Sequence, residues 1–554
     1  MKFADKDKIV YQIWPRSFFD SNGDGIGDIP GVTSKLDYIK SLGADMIWLN
    51  PVYASPNCDY GYDVSDYYSI HPDFGTMADF DALLAAAKAH GIGIIMDLVP
   101  NHVSEKSEWF QNALKEPTSK YRDYFYFKNG KNGGPPNNWL SFFGGSAWGH
   151  DAQSGEYYLT SFAPGQCDVN WENPQLRHEI YDIMRFWLDK GIAGFRMDVV
   201  NTLKKADGLP DKDAHRKGLQ FPGDLICDRP GVHDFIKEMY AQVLSKYDCF
   251  TVGEGVLTDE NSVLGYTKPE NHELMMMFQF DLHMLGCGPL GKYDFRKLYH
   301  WTLRDFKRIV DSWQTHMQQG GGWVGNYLSN HDQPRQVSRF GDDRRWRSES
   351  ACALALLNLT LRGTPFIYQG EECGMTNCHL EKGEWKDFEA INCYSVLQSM
   401  MHLPAWLARR IIMRMTRDHA RTPVQWTGDH NAGFTTGTPW MKINPNYTYV
   451  NIQAESCNGG IVDFYRRAIS LRRQSPALTC GTYMAVDLQN PRGISYIREC
   501  KSEKLLIAIN LSSRVAHMSL PSLCGEYAFG THGKREYSKR LKLSPYEGVV
   551  FRLV

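Results

Sequence analysis

The chain has 554 residues, 42% of them hydrophobic and 22% charged, and its 61 Lys and Arg against 63 Asp and Glu leave a net charge of −2. That length exceeds one ordinary domain yet suits a barrel enzyme with insertions, and nothing in the balanced charge suggests a polyanion partner such as nucleic acid. The opening MKFADKDKIVYQIW holds no apolar run long enough for a signal peptide, and no window approaches a membrane span. The 13 cysteines are odd in number and include no CxxC pair. They predict reduced thiols in a cytoplasm, not a disulfide framework or a zinc site.

In chain order, a first predicted strand at residues 9–14 leads into a loop rich in Asp and Gly. A helical pattern at 32–42 ends at Gly43, a strand follows at 46–49, and a second helix at 78–90 ends at Gly91. The third strand is 92–99. After the helix at 174–190, closed by Gly191, come strands at 194–198, 250–253, 275–280 and 323–328, a helix at 351–361 and an eighth strand at 365–368. Strands alternating with helices predict an α/β fold, a (β/α)8 TIM barrel over residues 1–101 and 171–480. Residues 102–170, rich in Gly, Asn and aromatics, break the alternation as an inserted domain after strand three. Beyond residue 480 short strands (494–498, 505–510, 548–553) predict a C-terminal all-β sandwich over 481–554.

Polar residues fall at the strand ends. Asp97, Asn101 and His102 follow strand three, Arg196 and Asp198 end strand four, Glu254 ends strand five, and His331 and Asp332 follow strand seven. One Asp at a strand end is ordinarily a helix cap or a turn residue. Several acids, two His and an Arg at strand ends that converge on one face of a barrel are better read as one pocket. A retaining glycosidase needs two carboxyl groups ~5 Å apart, one ionised and one protonated. Arg196, two residues before Asp198 on a strand, points to the same face and would bias that pair.

The segments DLVPNH (97–102), GFRMD (194–198), GE (253–254) and NHD (330–332), with QCDVN (166–170), resemble the motifs of the α-amylase family, glycoside hydrolase family 13, in order and spacing. YQIWPRSFFDSNGDGIGD, NHDQPR, RGTPFIYQGEECGMTN and RDHARTPVQW are similar to its oligo-1,6-glucosidase and α-glucosidase branch. The resemblance implies Asp198 as nucleophile, Glu254 as general acid/base and Asp332 as the third carboxylate. It implies that Arg196 orients Asp198, that His102 and His331 bond to the −1 glucose, and that Tyr62 stacks on it. Asp59 and Arg417 would close the non-reducing end for exo action, with Phe162 and Gln166 at the rim. Departures at Cys58, Tyr60, Cys167 and Gly255 lie near the rim or the +1 side and bear on substrate preference.

In the loop Asp20–Asp28, oxygen ligands on alternate residues (Asp20, Asn22, Asp24, the Ile26 position and Asp28) separated by glycines suit Ca²⁺, although a solvated turn explains such a motif equally well by itself. The resemblance implies a structural metal there, and implies that Lys205 replaces a separate amylase calcium site. No organic cofactor is expected.

The function expected is a retaining, exo-acting α-glucosidase for short α-1,6-linked glucosides, working as a monomer on a small oligosaccharide without a membrane or nucleic-acid partner. The alternatives are α-1,4-glucosidase, transglucosidase or sucrose isomerase action. An inactive glycosidase-like transporter subunit is excluded, since the chain keeps three acids and has no membrane helix. Val199, after the nucleophile, is implied to face the +1 sugar and favour the 1,6 linkage, unless it simply fills a strand end.

Overall fold

A computed structural model describes residues 6–288, 291–294 and 301–553. Eight parallel strands close a barrel in sequence order: β1 Val10–Ile13, β2 Met46–Leu49, β3 Gly93–Leu98, β4 Gly194–Met197, β5 Phe250–Gly253, β6 Met276–Phe278, β7 Val324–Asn326 and β8 Thr364–Tyr368. All eight lie where the sequence predicts them. Several ladders stop short of the predicted limits, so Asp198 follows its strand and does not end it. Every barrel strand except the first residue of β3 is buried, and that is why these runs are apolar throughout and do not alternate.

The helices differ in detail. In place of one helix at 32–42 there are two, Ile29–Ser34 and Leu36–Leu42. Thr33 and Ser34 turn their hydroxyls back onto the Ile29 and Gly31 carbonyls, which loosens the junction at Lys35. Met77–Ala89 starts at a capping box between Thr76 and Asp79, and Gly43 and Gly191 take the left-handed conformation that ends their helices. The helix expected from 351 begins earlier, as Arg347–Thr360, and is enclosed from Ser350 onward by the barrel and the C-terminal domain.

Between β3 and β4, His102–Ser104 pairs antiparallel with Gln166–Asp168, and Glu156–Leu159 is the centre of a three-stranded sheet with Phe127–Asn129 and Trp148–His150. After residue 481 a five-stranded antiparallel sheet faces a two-stranded one, Ala516–Ser519 with Arg540–Leu543. Ile497, Leu506 and Phe551 from the first sheet meet Met518 and Leu541 from the second in one apolar core. Arg498 ties this domain to the barrel by donating to the Thr360 carbonyl at 2.6 Å. Among the described residues no helix is long and apolar enough to cross a membrane.

Candidate active site

Arg196, fully enclosed in β4, is the hub at the carboxyl end of the barrel. Its Nη1 donates to Asp198 Oδ1 at 2.6 Å and to Asp97 Oδ1 at 2.7 Å, while Nη2 meets Glu254 Oε2. The backbone fixes both acids just past their strands: the Asp198 amide donates to the Leu98 carbonyl and the Glu254 amide to the Met197 carbonyl, each at 2.8 Å. One guanidinium thus contacts both carboxyl groups and sets them side by side at the carboxyl end of the barrel. Three carboxyls crowd this one cation. Burial lifts Asp97 to about 7, against Arg196 and a 2.6 Å bond from Trp48 Nε1.

Asp332 stands across the mouth. Burial pushes its carboxyl up, but His331, Arg417 and Arg421 outweigh that and hold it well below the usual carboxylate range. His331 Nε2 lies 3.1 Å from Oδ2, and Arg421 Nη2 and Arg417 Nη1 lie 3.1 Å and 3.5 Å from Oδ1. The Gln12 amide nitrogen is 2.9 Å from His331 Nδ1. That contact makes Nδ1 the acceptor and leaves the proton on Nε2, facing Asp332. The imidazole is stacked between Trp14 (5.4 Å, 15°) and Tyr62 (5.3 Å, 9°). One face of Tyr62 is therefore taken by His331, and its hydroxyl bridges Asn50 (2.8 Å) and Asp97 (3.2 Å).

The inserted segment supplies one wall. His102 Nε2 is 3.0 Å from the Tyr62 carbonyl, and its ring tilts against Phe162, which stacks on Phe142 at 4.6 Å. Gln166 donates to the Tyr62 carbonyl at 3.1 Å and to Asp59 Oδ2 at 3.3 Å. Arg417 donates to Asp59 Oδ1 at 3.2 Å. Burial lifts Asp59 to about 6, with Arg417 and Arg421 opposing. The acids, histidines, Tyr62, Phe162, Gln166, Arg196 and Arg417 are thus brought together.

Val199 is placed otherwise than a strand-end filler would be. It follows β4 in the left-handed conformation, φ 35° and ψ 44°, and starts the short helix Val200–Thr202. A β-branched residue there is strained. Gly255 follows Glu254, and a Cβ there would come 2.6 Å from Met277 Cε and 2.7 Å from Thr258 Cγ2, so a side chain would require both neighbours to shift.

Sequence reasoning missed Asp387 and Arg421, which bind Arg417 and Asp332, and the rings of Phe143 and Phe388 that flank Arg417. Arg421 sits in RDHARTPVQW, a stretch noted without a role. Asp387 stands directly before the helix Phe388–Ser399, where an Asp reads as an ordinary N-cap.

In the loop after β1, Asp20 accepts from the amides of Asn22 (3.0 Å), Gly23 (2.8 Å) and Gly25 (2.8 Å). Asn22 and Asp24 accept from the amides two residues on, each at 2.8 Å. Asp28 caps the following helix through Gly31 at 2.6 Å. The loop is a run of Asx turns, with Gly25 pressed against the Thr438 carbonyl where no Cβ fits. Among the described residues no group of three or more His, Cys, Asp or Glu is gathered for a metal. The set is oxygen only, as a hard cation prefers, but both Asp20 oxygens and Asp28 Oδ2 each already accept two hydrogen bonds, so a cation would have to share them, while Asn22 and Asp24 have lone pairs to spare. Lys205 is buried with Nζ 2.6 Å from Asn101 Oδ1, 2.6 Å from the Thr202 carbonyl and 2.9 Å from Asp168 Oδ1, an ammonium among three oxygens.

Comparison with known proteins agrees with this geometry. Residues 12–481 match the α-amylase catalytic domain. The chain is 45% identical to the oligo-1,6-glucosidase of Parageobacillus thermoglucosidasius, over 99% of this chain and 98% of that one. Its fold superposes on a trehalose-6-phosphate hydrolase of Bacillus licheniformis with a TM-score of 0.94, 41% identity and 99% of each chain covered. An isomaltulose synthase of Klebsiella gives a TM-score of 0.94 at 39% identity, with 100% of each chain covered.

Proposed function

The chain belongs to the α-amylase family of glycoside hydrolases, and from that premise we propose that it is a retaining, exo-acting α-glucosidase for short α-1,6-linked glucosides. The observation that carries the reading is Arg196 spanning Asp198 and Glu254 beside a pocket whose far end is shut by the Asp59–Arg417 pair. Asp198 attacks C1 while Glu254 donates a proton to the leaving oxygen, so the glycosidic bond breaks as the glucosyl–enzyme ester forms. Glu254, now a carboxylate, takes a proton from water, which attacks C1 and frees Asp198. Asp332, kept ionised by its cationic neighbours, bonds the sugar hydroxyls and offsets positive charge developing at the ring. The closed far end admits one glucose and excludes a chain running through.

Among the described residues, Lys292 is paired with Glu389 at 2.5 Å and Arg339 is engaged by Gln333 and the carbonyls of Leu282, His283 and Leu285, so neither stands free for a phosphorylated sugar. The preference for the 1,6 linkage rests on Val199, whose branched side chain would crowd a 1,4-linked sugar more than one held off by the extra C5–C6 bond. A Ca²⁺ ion held by Asp20, Asn22, Asp24, Asp28 and the Ile26 carbonyl would cross-link this loop, with no part in the reaction. The described cysteines are all free, which supports action in the cytoplasm, and a monomer completes the proposal. Incubation with isomaltose, maltose, trehalose 6-phosphate and sucrose, with products separated by chromatography, tests it. Isomaltose should be the best substrate in kcat/KM; a faster reaction on trehalose 6-phosphate, or isomaltulose from sucrose as the main product, overturns it.

A further inference from the structure

The segment after β8 carries an enclosed carboxylate that the reaction just described does not use. Asp387 caps the helix Phe388–Ser399, accepting from the Glu389 amide at 3.1 Å. A cap needs one lone pair, and the rest of this carboxylate is aimed at Arg417. Oδ1 accepts from Nε at 3.0 Å and lies 2.9 Å from Nη2 as an ion-pair contact, and Oδ2 accepts from the Arg417 main-chain N–H at 3.1 Å. The hydroxyls of Thr416 and Tyr293 complete the shell, each at 3.3 Å from Oδ2. With its Nε–Nη2 edge turned to Asp387, Arg417 presents Nη1 to the pocket, and Nη1 is the atom that reaches Asp59 at 3.2 Å and Asp332 at 3.5 Å. The rings of Phe143 and Phe388 lie 5.4 Å and 5.0 Å from the guanidinium. They limit its rotation without choosing which edge faces the sugar. The choice falls to Asp387.

We propose that Asp387 is a positioning residue for sugar recognition: it orients Arg417 so that Nη1 and Asp59 together select the 4-hydroxyl of the non-reducing glucose. C4 lies opposite C1 across a pyranose ring, so the end of the pocket away from Asp198 and Glu254 faces that hydroxyl. The proposal rests on the reading of Asp59 and Arg417 as the closed end of the pocket. Asp387→Asn is close to isosteric and can keep the helix cap through Oδ1, while it loses the charge and puts an NH2 where Oδ2 accepts from the Arg417 main-chain N–H.

The test measures kcat and KM for 4-nitrophenyl α-D-glucopyranoside and its 4-deoxy analogue with the full chain. A charge-assisted hydrogen bond lost to the deoxy sugar predicts a wild-type preference of about 30-fold or more in kcat/KM. Asp387→Asn should reduce that preference to within about 3-fold, acting chiefly on the glucoside, and adding it to Arg417→Ala should cause no further loss. Arg417→Lys, which keeps a charge but cannot fork, should lose the preference too, and it serves as the test if the Asn variant does not fold. If Arg417→Ala keeps the preference, the reading of the closed end fails. If Arg417→Ala loses it while Asp387→Asn or Arg417→Lys keeps it, only the role of Asp387 is overturned.

Discussion

Replacing Lys205 with methionine would leave Asp168 buried with two hydrogen bonds, from the Ser161 amide at 2.6 Å and Asn101 Nδ2 at 3.1 Å, and no counter-charge. Methionine fills most of the space, so the perturbation is electrical more than steric. Removing one partner of a buried ion pair costs about 3–5 kcal/mol. A chain of 554 residues has an unfolding entropy of ~1.2 kcal/mol/K at ~2.1 cal/mol/K per residue, so Tm should fall by about 3–4 °C. Lys205 joins three places at once: Asn101 after β3, Thr202 after β4, and Asp168 in the returning strand of the inserted segment. The inserted segment should therefore loosen first, with faster amide exchange at Gln166–Asp168 than at the barrel strands. Scanning calorimetry of wild type, Lys205→Met and Lys205→Met/Asp168→Asn decides the matter. Neutralising Asp168 should recover at least half of the lost Tm. An unchanged Tm in the single variant, or no recovery in the double, would refute the reasoning that an ammonium holds this junction electrostatically.

Asp97, raised to about 7 by burial, binds a proton in the folded chain that the unfolded chain has released above its ordinary value near ~4. Stability should therefore fall as pH rises between about 4 and 7, and Asp97→Asn should melt progressively higher than wild type across that window; a constant offset would contradict it. If the Asp20–Asp28 loop holds Ca²⁺, EDTA should lower Tm in wild type and leave Asp24→Ala unaffected, with one equivalent of calcium found by metal analysis. Val199→Ala should narrow the isomaltose-over-maltose preference about tenfold by improving maltose. Its Tm should stay within about 1–2 °C of wild type, because relief of left-handed strain offsets the two methyl groups lost.

The barrel was legible because its strands are buried on both faces. Runs such as MIWL (46–49) and FTVG (250–253) read as short apolar blocks with helices between them, and the acids that follow them mark the open end. The limits were less legible, since Asp198 and Glu254 continue the hydrogen-bonding of their strands by one amide each while belonging to the loops. The side chains at β3, β4, β5 and β7 could be assigned because each stands beside a strand. Asp387 and Arg421 could not, because they reach the site from beyond β8, outside the strand–helix repeat, and only the fold brings them to Arg417 and Asp332. The left-handed turn at Val199 was hidden for a different reason: a β-branched residue argues for extended backbone, and the chain turns there against that preference. In the loop after β1 the alternation of Asp, Asn and Gly fits both a turn and a cation, and the turn's own hydrogen bonds use the oxygens a cation would share.

The central claim is that Asp198 and Glu254 act as a retaining pair. A proton NMR time course on 4-nitrophenyl α-D-glucopyranoside, which releases a single glucose, tests it most directly. α-Glucose should dominate the first time points, with the β-anomer appearing only as mutarotation proceeds, and Asp198→Asn should release no glucose over the same period. β-Glucose released first by the wild-type protein would contradict it.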